Sequence, residues 1–275
     1  MMSNNFVRKA SVGAAKYASG LFRSYLMIIL ALMWFPMIVL VILSFSERAM
    51  LSFPPETLTL RWYFEVFTDP QALPAIFTSL RISLIATPIT LLIALLFVYG
   101  LDRLEFRWKP TALFIVILPL VIPGVVGGIA VYQFSEFLGI RGFATVVLVH
   151  VIVTIPFGML VLLDTLSKFD RSLERAALDL GANELTTFFR VTLPNIYRGV
   201  VAAALLVFSL SFNEFLYTYF VRGNNIVTLP IFLWSNTAKL ADPIVYAVSV
   251  VFILTATTVL LLTVAITSIR RVSQF

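Results

Sequence analysis

Residues 170–194, DRSLERAALDLGANELTTFFRVTLP, form the one long polar stretch in a chain that is otherwise nearly all apolar. Leu173, Ala176, Ala177 and Leu180 recur at i, i+3, i+4 and i+7, the spacing of one face of a short helix. Gly181 stops that helix, because glycine takes the left-handed conformation past a helix end without a Cβ clash. Asn183 then caps a second helix whose Leu185, Phe188 and Phe189 share a face, and Pro194 limits how far it runs. The expected product is a compact helix-turn-helix exposed on one side of a membrane. Its two small alanines leave room for another surface to approach closely.

The rest of the chain supplies the membrane. Of its 275 residues, 60% are apolar and only 12% charged, and the mean hydropathy is +0.99. Several runs exceed the ~18 apolar residues that signal a transmembrane helix. The fold class read from this is all-α, a polytopic membrane protein with six transmembrane helices. With no cysteine, disulfides and thiolate metal sites are excluded. The single histidine, His150, lies in an apolar run and reads as packed or helix-bridging, since a metal site needs several such donors together.

Taken in order, residues 1–24 are a basic, small-residue-rich segment carrying Arg8, Lys9, Lys16 and Arg23. The apolar run 25–43 follows. It is too long for a signal-peptide core and ends without a small-x-small cleavage site, so it reads as a retained first span. Residues 44–78 form a non-cytoplasmic segment in which Trp62, Tyr63, Phe64 and Phe67 suit the water-bilayer interface or, alternatively, a docking protein. The second span covers about 79–99, ending at Gly100. The third covers 111–134 and holds Pro123 with Gly124 and Gly128, a GxxxG that allows close helix packing or a hinge. The fourth covers 143–163, interrupted by Pro156 and Gly158, the fifth about 198–220. Asp242 and Pro243 open the sixth, which ends near Ile269. Residues 25–269 thus make the membrane domain, 164–197 its loop, and 270–275 a tail.

Positive residues near spans are retained in the cytoplasm. Segments sharing a side with the loop and both termini hold fourteen of the twenty lysines and arginines, and the opposite segments hold Arg48, Arg61, Arg81, Arg141, Arg222 and Lys239. Both termini and the loop are therefore expected in the cytoplasm. The net charge of +6 reflects that topology, and nothing calls for nucleic acid.

A polar stripe marks the fifth span. Ser209, Asn213 and Tyr217 recur at i, i+4 and i+8, with Glu214 and Thr218 on the adjoining row. A carboxylate inside a bilayer costs a few kcal/mol even on mild insertion scales, so Glu214 should face the bundle interior or water. At ~1.5 Å per residue it lies roughly 24 Å beyond Arg198, in the outer part of a ~30 Å core. Ser209, Asn213, Glu214 and Tyr217 are therefore the candidate translocation-pathway residues, the alternative for Glu214 being an interfacial position.

The polar loop resembles the EAA loop of permease subunits in binding-protein-dependent ABC importers: Glu-Ala-Ala, three residues, Gly, nine residues, Ile-x-Leu-Pro. Ala176, Ala177, Gly181, Leu193 and Pro194 match in register, and Val191 stands for the isoleucine. Arg175 occupies the place of the motif glutamate, and Glu174 lies one residue early. The segment LTLRWYFEVFTDP, 58–70, resembles the periplasmic stretch after the first helix of this family. SLSFNEFLYTYFVRGNNIVTLPIFLW, 209–234, is similar to the corresponding stretch of spermidine/putrescine-type permeases. The resemblance spans most of 58–271 and is closest to the second permease of polyamine systems.

That resemblance implies a type I ABC importer permease fold in a bacterial inner (plasma) membrane. It implies a homologous permease subunit as heterodimer partner, two ATPase subunits, a periplasmic substrate-binding protein and contact with membrane lipid. Glu174, Arg175, Ala176, Ala177, Gly181, Leu193 and Pro194 would be the ATPase-coupling residues. ATP and Mg would reside on the partner ATPase, with no cofactor or metal bound by this chain. The sequence has no Gly-Lys pair for a Walker A loop, no G-x-S-x-G and no HExxH, so the expected protein is no enzyme and has no catalytic residue. The solute best matching the resemblance is a polyamine such as spermidine or putrescine. An opine, an amino-acid derivative or another small solute fits the same architecture, and a passive channel or structural membrane subunit is the reading from a different class.

Overall fold

A computed structural model describes residues 2–47, 53–105, 107–140, 142–223, 225–237 and 243–272. The helices are α1 (Met2–Leu43), α2 (Arg61–Glu65), α3 (Ala72–Arg103), α4 (Lys109–Val121), α5 (Gly124–Phe137) and α6 (Phe143–Ser167). They continue with α7 (Ser172–Asp179), α8 (Glu184–Thr187), a π-helical turn (Phe188–Thr192), α9 (Leu193–Phe212), α10 (Leu216–Val221), α11 (Leu229–Thr237) and α12 (Pro243–Val272). Among the described residues the only β pairing is an isolated antiparallel bridge between Ser46 and Leu58. The chain is all-α.

Among the described residues four segments are long and apolar enough to cross a membrane, Phe22–Leu43, Ala72–Arg103, Phe143–Ser167 and Glu184–Phe212, and the bent pair Lys109–Val121 with Gly124–Phe137, counted as one span, makes a fifth. The sixth expected span falls on α12, whose apolar part Ile244–Val259 lies in a helix of 30 residues, about 45 Å at the usual rise. Pro243 is its first residue, as the capping pattern requires; Asp242 lies outside the described residues.

The chain divides into two compact units, Met1–Glu65 with Ala241–Val250, and Val66–Leu240 with Val251–Phe275. In the first, the segment after α1 is tied by two of the aromatic residues expected at an interface. The Trp62 indole N–H donates to the Ser46 carbonyl at 2.7 Å, and the Tyr63 hydroxyl lies 2.7 Å from Ser44 Oγ. Phe64 stays exposed.

The second unit is built on α3, α6 and α9, which pack against one another. One cluster joins Ile82 and Ala86 of α3 to Val146, Val147, Val149 and Val151 of α6 and to Tyr217 and Val221 of α10. A second joins Ala94 and Val98 to Met159, Leu162 and Leu166 and to Ile196 and Ala203 of α9. Small residues set the closest approaches, since without a Cβ two backbones can come nearer. A Cβ at Gly199 would sit 2.8 Å from Thr165 Cβ, and one at Gly158 would sit 3.2 Å from Val207 Cγ2.

Four expectations about the spans need correction. α3 extends past Gly100 to Arg103. The third span is two helices, broken at Ile122 and Pro123 and bent by 108°. Pro123 has no N–H to donate, and Ile122 before it is extended (φ −72°, ψ 127°), the conformation a following proline favours. Conversely, Pro156 and Gly158 do not interrupt α6, which runs unbroken over 25 residues. The fifth span ends at Phe212, and α10 is a separate helix.

Candidate functional site

Asp170 begins the polar loop. Its Oδ1 accepts from the Ser172 backbone N–H at 2.9 Å, satisfying a donor that the start of α7 leaves without an intrahelical partner. That N–H, then the Ser172 hydroxyl and more weakly the Arg175 charge, hold the Asp170 carboxyl below the ordinary carboxylate range. Gly181 stands at φ +88°, and its neighbours return N–H bonds to α7: Gly181 to the Leu178 carbonyl at 2.9 Å and Ala182 to the Ala177 carbonyl at 3.1 Å. Asn183 caps α8 with its Oδ1 accepting from Thr186 N–H at 2.8 Å. The turn and both expected helices are thus present.

Pro194, in contrast, does not end the second helix. Helical backbone runs from Glu184 through the π turn into α9, with Pro194 in the first turn of α9. An i→i+5 turn admits one extra residue per turn, and Pro194 follows it within the first two positions of α9. Leu193 sits at the junction, half-buried beside the second core cluster.

The loop's apolar face is turned outward. Leu173, Leu178, Leu185 and Phe189 are exposed, and Leu180 is 90% exposed; Ala176 is exposed and Ala177 half-buried. Arg175 points out with them. Glu174 does the opposite. It is 7% exposed, and its carboxylate accepts from the Arg103 guanidinium of α3 and from the Thr192 hydroxyl of the π turn. Arg103 also reaches Asp102 Oδ2 at 2.6 Å and lies 5.0 Å from the Tyr99 ring centroid. The other Asp102 oxygen accepts from Arg171. Glu174, grouped from sequence with the docking residues, therefore belongs to the inner face of the loop.

The second candidate region is the break between α9 and α10. Asn213 is exposed and its amide N–H donates to the Ser209 carbonyl at 2.6 Å. Glu214 turns the other way: Oε1 accepts from Tyr217 N–H at 2.7 Å, and Oε2 from Thr218 N–H at 2.9 Å and from the Thr218 hydroxyl. Tyr217 is buried, against the glycine face of α5, where a Cβ at Gly127 would meet its ring at 2.6 Å and one at Gly128 would meet Phe220 at 3.0 Å. The packing role expected for the α5 glycines is thus present. The single polar stripe is not, because the four residues lie on two helices and a turn. Asn213 is exposed and Ser209 half-buried; Glu214 and Tyr217 face inward.

Behind the break lies His150 of α6, 1% exposed. Its Nδ1 is 2.7 Å from Ser211 Oγ at the end of α9, and its Nε2 is 2.8 Å from Thr218 Oγ1 on α10. Thr218 already donates to Glu214, so it accepts from Nε2–H and leaves Nδ1 to accept from Ser211. The network continues through Thr154, whose hydroxyl donates to the His150 carbonyl at 2.7 Å and lies 3.0 Å from the Thr90 hydroxyl of α3. The helix-bridging reading of His150 holds. Its connection to Glu214 was not legible in the sequence, since the two residues lie on different helices. No group of three or more potential metal ligands occurs among the described residues.

Residues 103–274 match the family described as "Binding-protein-dependent transport system inner membrane component". Over 222 residues the chain is 31% identical to the putrescine transport system permease protein PotI of Escherichia coli (strain K12), covering 78% of this chain and 79% of that protein. It is 26% identical to the spermidine/putrescine transport system permease protein PotC of Haemophilus influenzae, covering 89% and 95%. Among solved structures it is similar in fold to a chain of a bacterial ABC transporter involved in the import of the acidic polysaccharide alginate. There the TM-score is 0.75 at 17% identity, over 90% of this chain and 96% of that one.

Proposed function

The chain belongs to the binding-protein-dependent transport system inner membrane components, and from that premise we propose how this permease subunit works. It forms half of a translocation pathway for a small organic solute in the bacterial inner membrane, with both termini and the loop in the cytoplasm. A separate ATPase docks on the loop and supplies the work. The observation that carries this reading is that Leu173, Leu178, Leu180, Leu185 and Phe189 are all exposed on a loop whose one buried acid is turned inward. Apolar surface held in water is unfavourable by about 25 cal/mol per Å², so large apolar side chains gathered on one short polar loop favour a partner that covers them.

A homologous permease as the second half, two ATPase subunits binding ATP and Mg, and a periplasmic binding protein complete the assembly. At the α9–α10 break, Ser209 and Asn213 line the route. Glu214 and Tyr217 support it from behind. Gly181 and Pro194 set the path of the loop, while Ala176, Ala177 and Arg175 stand on or beside its docking face. The relatives named for putrescine and spermidine transport favour a polyamine cargo.

Affinity purification from the native membrane tests the assembly: an ATPase should be recovered with the wild-type chain, and deleting residues 181–193 should abolish both its recovery and transport. The solute is tested on the cognate binding protein. Putrescine or spermidine should raise its melting temperature, and a response only to an uncharged or anionic solute would remove the polyamine assignment.

A further inference from the structure

The loop is fastened to the membrane helices by more than its two covalent ends. Through Glu174, the inner face of α7 is bonded both to Arg103 at the end of α3 and to Thr192 on the π turn. Arg171, at the start of α7, is bonded to Asp102. Tyr99, one turn earlier on α3, meets the Phe188 ring of the π turn edge-on at 5.0 Å. Three side chains from the C-terminal end of α3 therefore hold the loop, and they do so 69 or more residues away in sequence, as the Asp102–Arg171 and Arg103–Glu174 separations of 69 and 71 show.

We propose that the Arg103–Glu174 ion pair is a transmission strut, carrying movement of α7 into α3. Glu174 and Arg103 are thus positioning residues. The inference rests on the loop being the ATPase-docking element and says what happens to a displacement once it arrives there. Without the strut, α7, an eight-residue helix followed by a left-handed glycine, keeps only the more exposed Arg171–Asp102 contact to α3 among the bonds named above and can tilt on its own connections. With it, α7 cannot move without α3, because separating the pair strands a carboxylate that is nearly buried. α3 is 32 residues long and packs on both α6 and α9, so it would deliver the displacement along the length of the bundle. The chemistry suits that task. The carboxylate is gripped from two elements at once, and the guanidinium is itself fixed by Asp102 and the Tyr99 ring, so little slack remains between α7 and α3.

The chain's lack of cysteine makes a direct test possible in the whole complex. A single cysteine replacing Leu96, an exposed residue of α3, is labelled with bimane, and its emission is followed when ATP and Mg are added to the complex in nanodiscs. Glu174→Gln keeps the side-chain shape and the acceptor for Thr192 but removes the charge. Arg103→Lys keeps the charge and loses the fork. The strut predicts that Glu174→Gln retains the bound ATPase while the ATP-induced signal falls by about tenfold, within the range of coupling between distant sites, and that Arg103→Lys retains part of the wild-type signal. An unchanged signal in Glu174→Gln would overturn the proposal. So would a signal that falls only in proportion to ATPase lost from the complex in both variants, since the pair would then serve assembly alone. A wild-type chain that purifies without any ATPase would sink the docking assignment itself, and the strut with it.

Discussion

His150 Nε2 lies 2.8 Å from Thr218 Oγ1, while Nδ1 of the same ring lies 2.7 Å from Ser211 Oγ: one imidazole on α6 holds both sides of the α9–α10 break. Truncation to His150→Ala strands the buried Ser211 hydroxyl, takes one of the two partners of the Thr218 hydroxyl and opens a cavity. Each buried polar group left without a partner costs about 1–3 kcal/mol, so thermal unfolding in detergent should show one of the largest losses for any single substitution in α6. A wild-type melting curve for His150→Ala would contradict the network.

Crowding at α6 and α9 predicts opposite signs for two glycines. A side chain at Gly199 would collide with Thr165, whereas one at Gly100 would meet nothing within 4 Å. Gly199→Val should destabilise by about 1–3 kcal/mol, the range for overpacking. Gly100→Ala, in the interior of α3, should be neutral or stabilise by about 0.4–1 kcal/mol. Paired melting temperatures decide this directly.

Glu214 separates a structural from an electrostatic role. Because its oxygens accept the Tyr217 and Thr218 N–H groups, Glu214→Ala should weaken the fold by about 0.5–2 kcal/mol, as loss of a helix cap does. Glu214→Gln keeps one acceptor oxygen and should lose less stability. If transport of a cationic solute uses the charge as well, uptake in Glu214→Gln should fall while the melting temperature stays near wild type; equal loss of both would confine Glu214 to the cap.

How far the sequence could be read depended on how local the cause was. Gly181 and Asn183 act within a few residues of themselves, so the turn and the second helix were legible. The α4–α5 break is also written locally, at Pro123, but proline occurs inside α3 and α6 without breaking them, so the residue alone does not announce the outcome. The α9–α10 break was hidden for a different reason. Asn213, Glu214 and Phe215 contain neither glycine nor proline, and the helix parts there around contacts made with His150, 61 and 68 residues away from its two partners. The inward turn of Glu174 likewise depends on Arg103, which no spacing within the loop reveals. The π turn before Pro194 left no periodic signature, because it occupies five residues.

Two loop substitutions should act at a distance from the membrane helices. Asn183→Ala removes the cap bond to Thr186 and should cost about 1 kcal/mol. Gly181→Val forces a β-branched residue to φ +88°, a left-handed conformation costing roughly 1–2 kcal/mol for ordinary residues. Hydrogen exchange should show both losses concentrated in α7 and α8, with α6 and the core of α9 protected as before. Exchange spread evenly over the chain would mean that the loop is not a separate local unit.

The central claim is that the exposed face around Leu180 meets a cytoplasmic motor. A single cysteine at Leu180, in a chain that has none of its own, can be challenged with a membrane-impermeant maleimide in inside-out and right-side-out vesicles and, in a separate unlabelled sample, crosslinked. The account predicts labelling in inside-out vesicles only, and a crosslink to the ATPase subunit. Labelling from the external face, or no crosslink to an ATPase that is present in the purified complex, would contradict it.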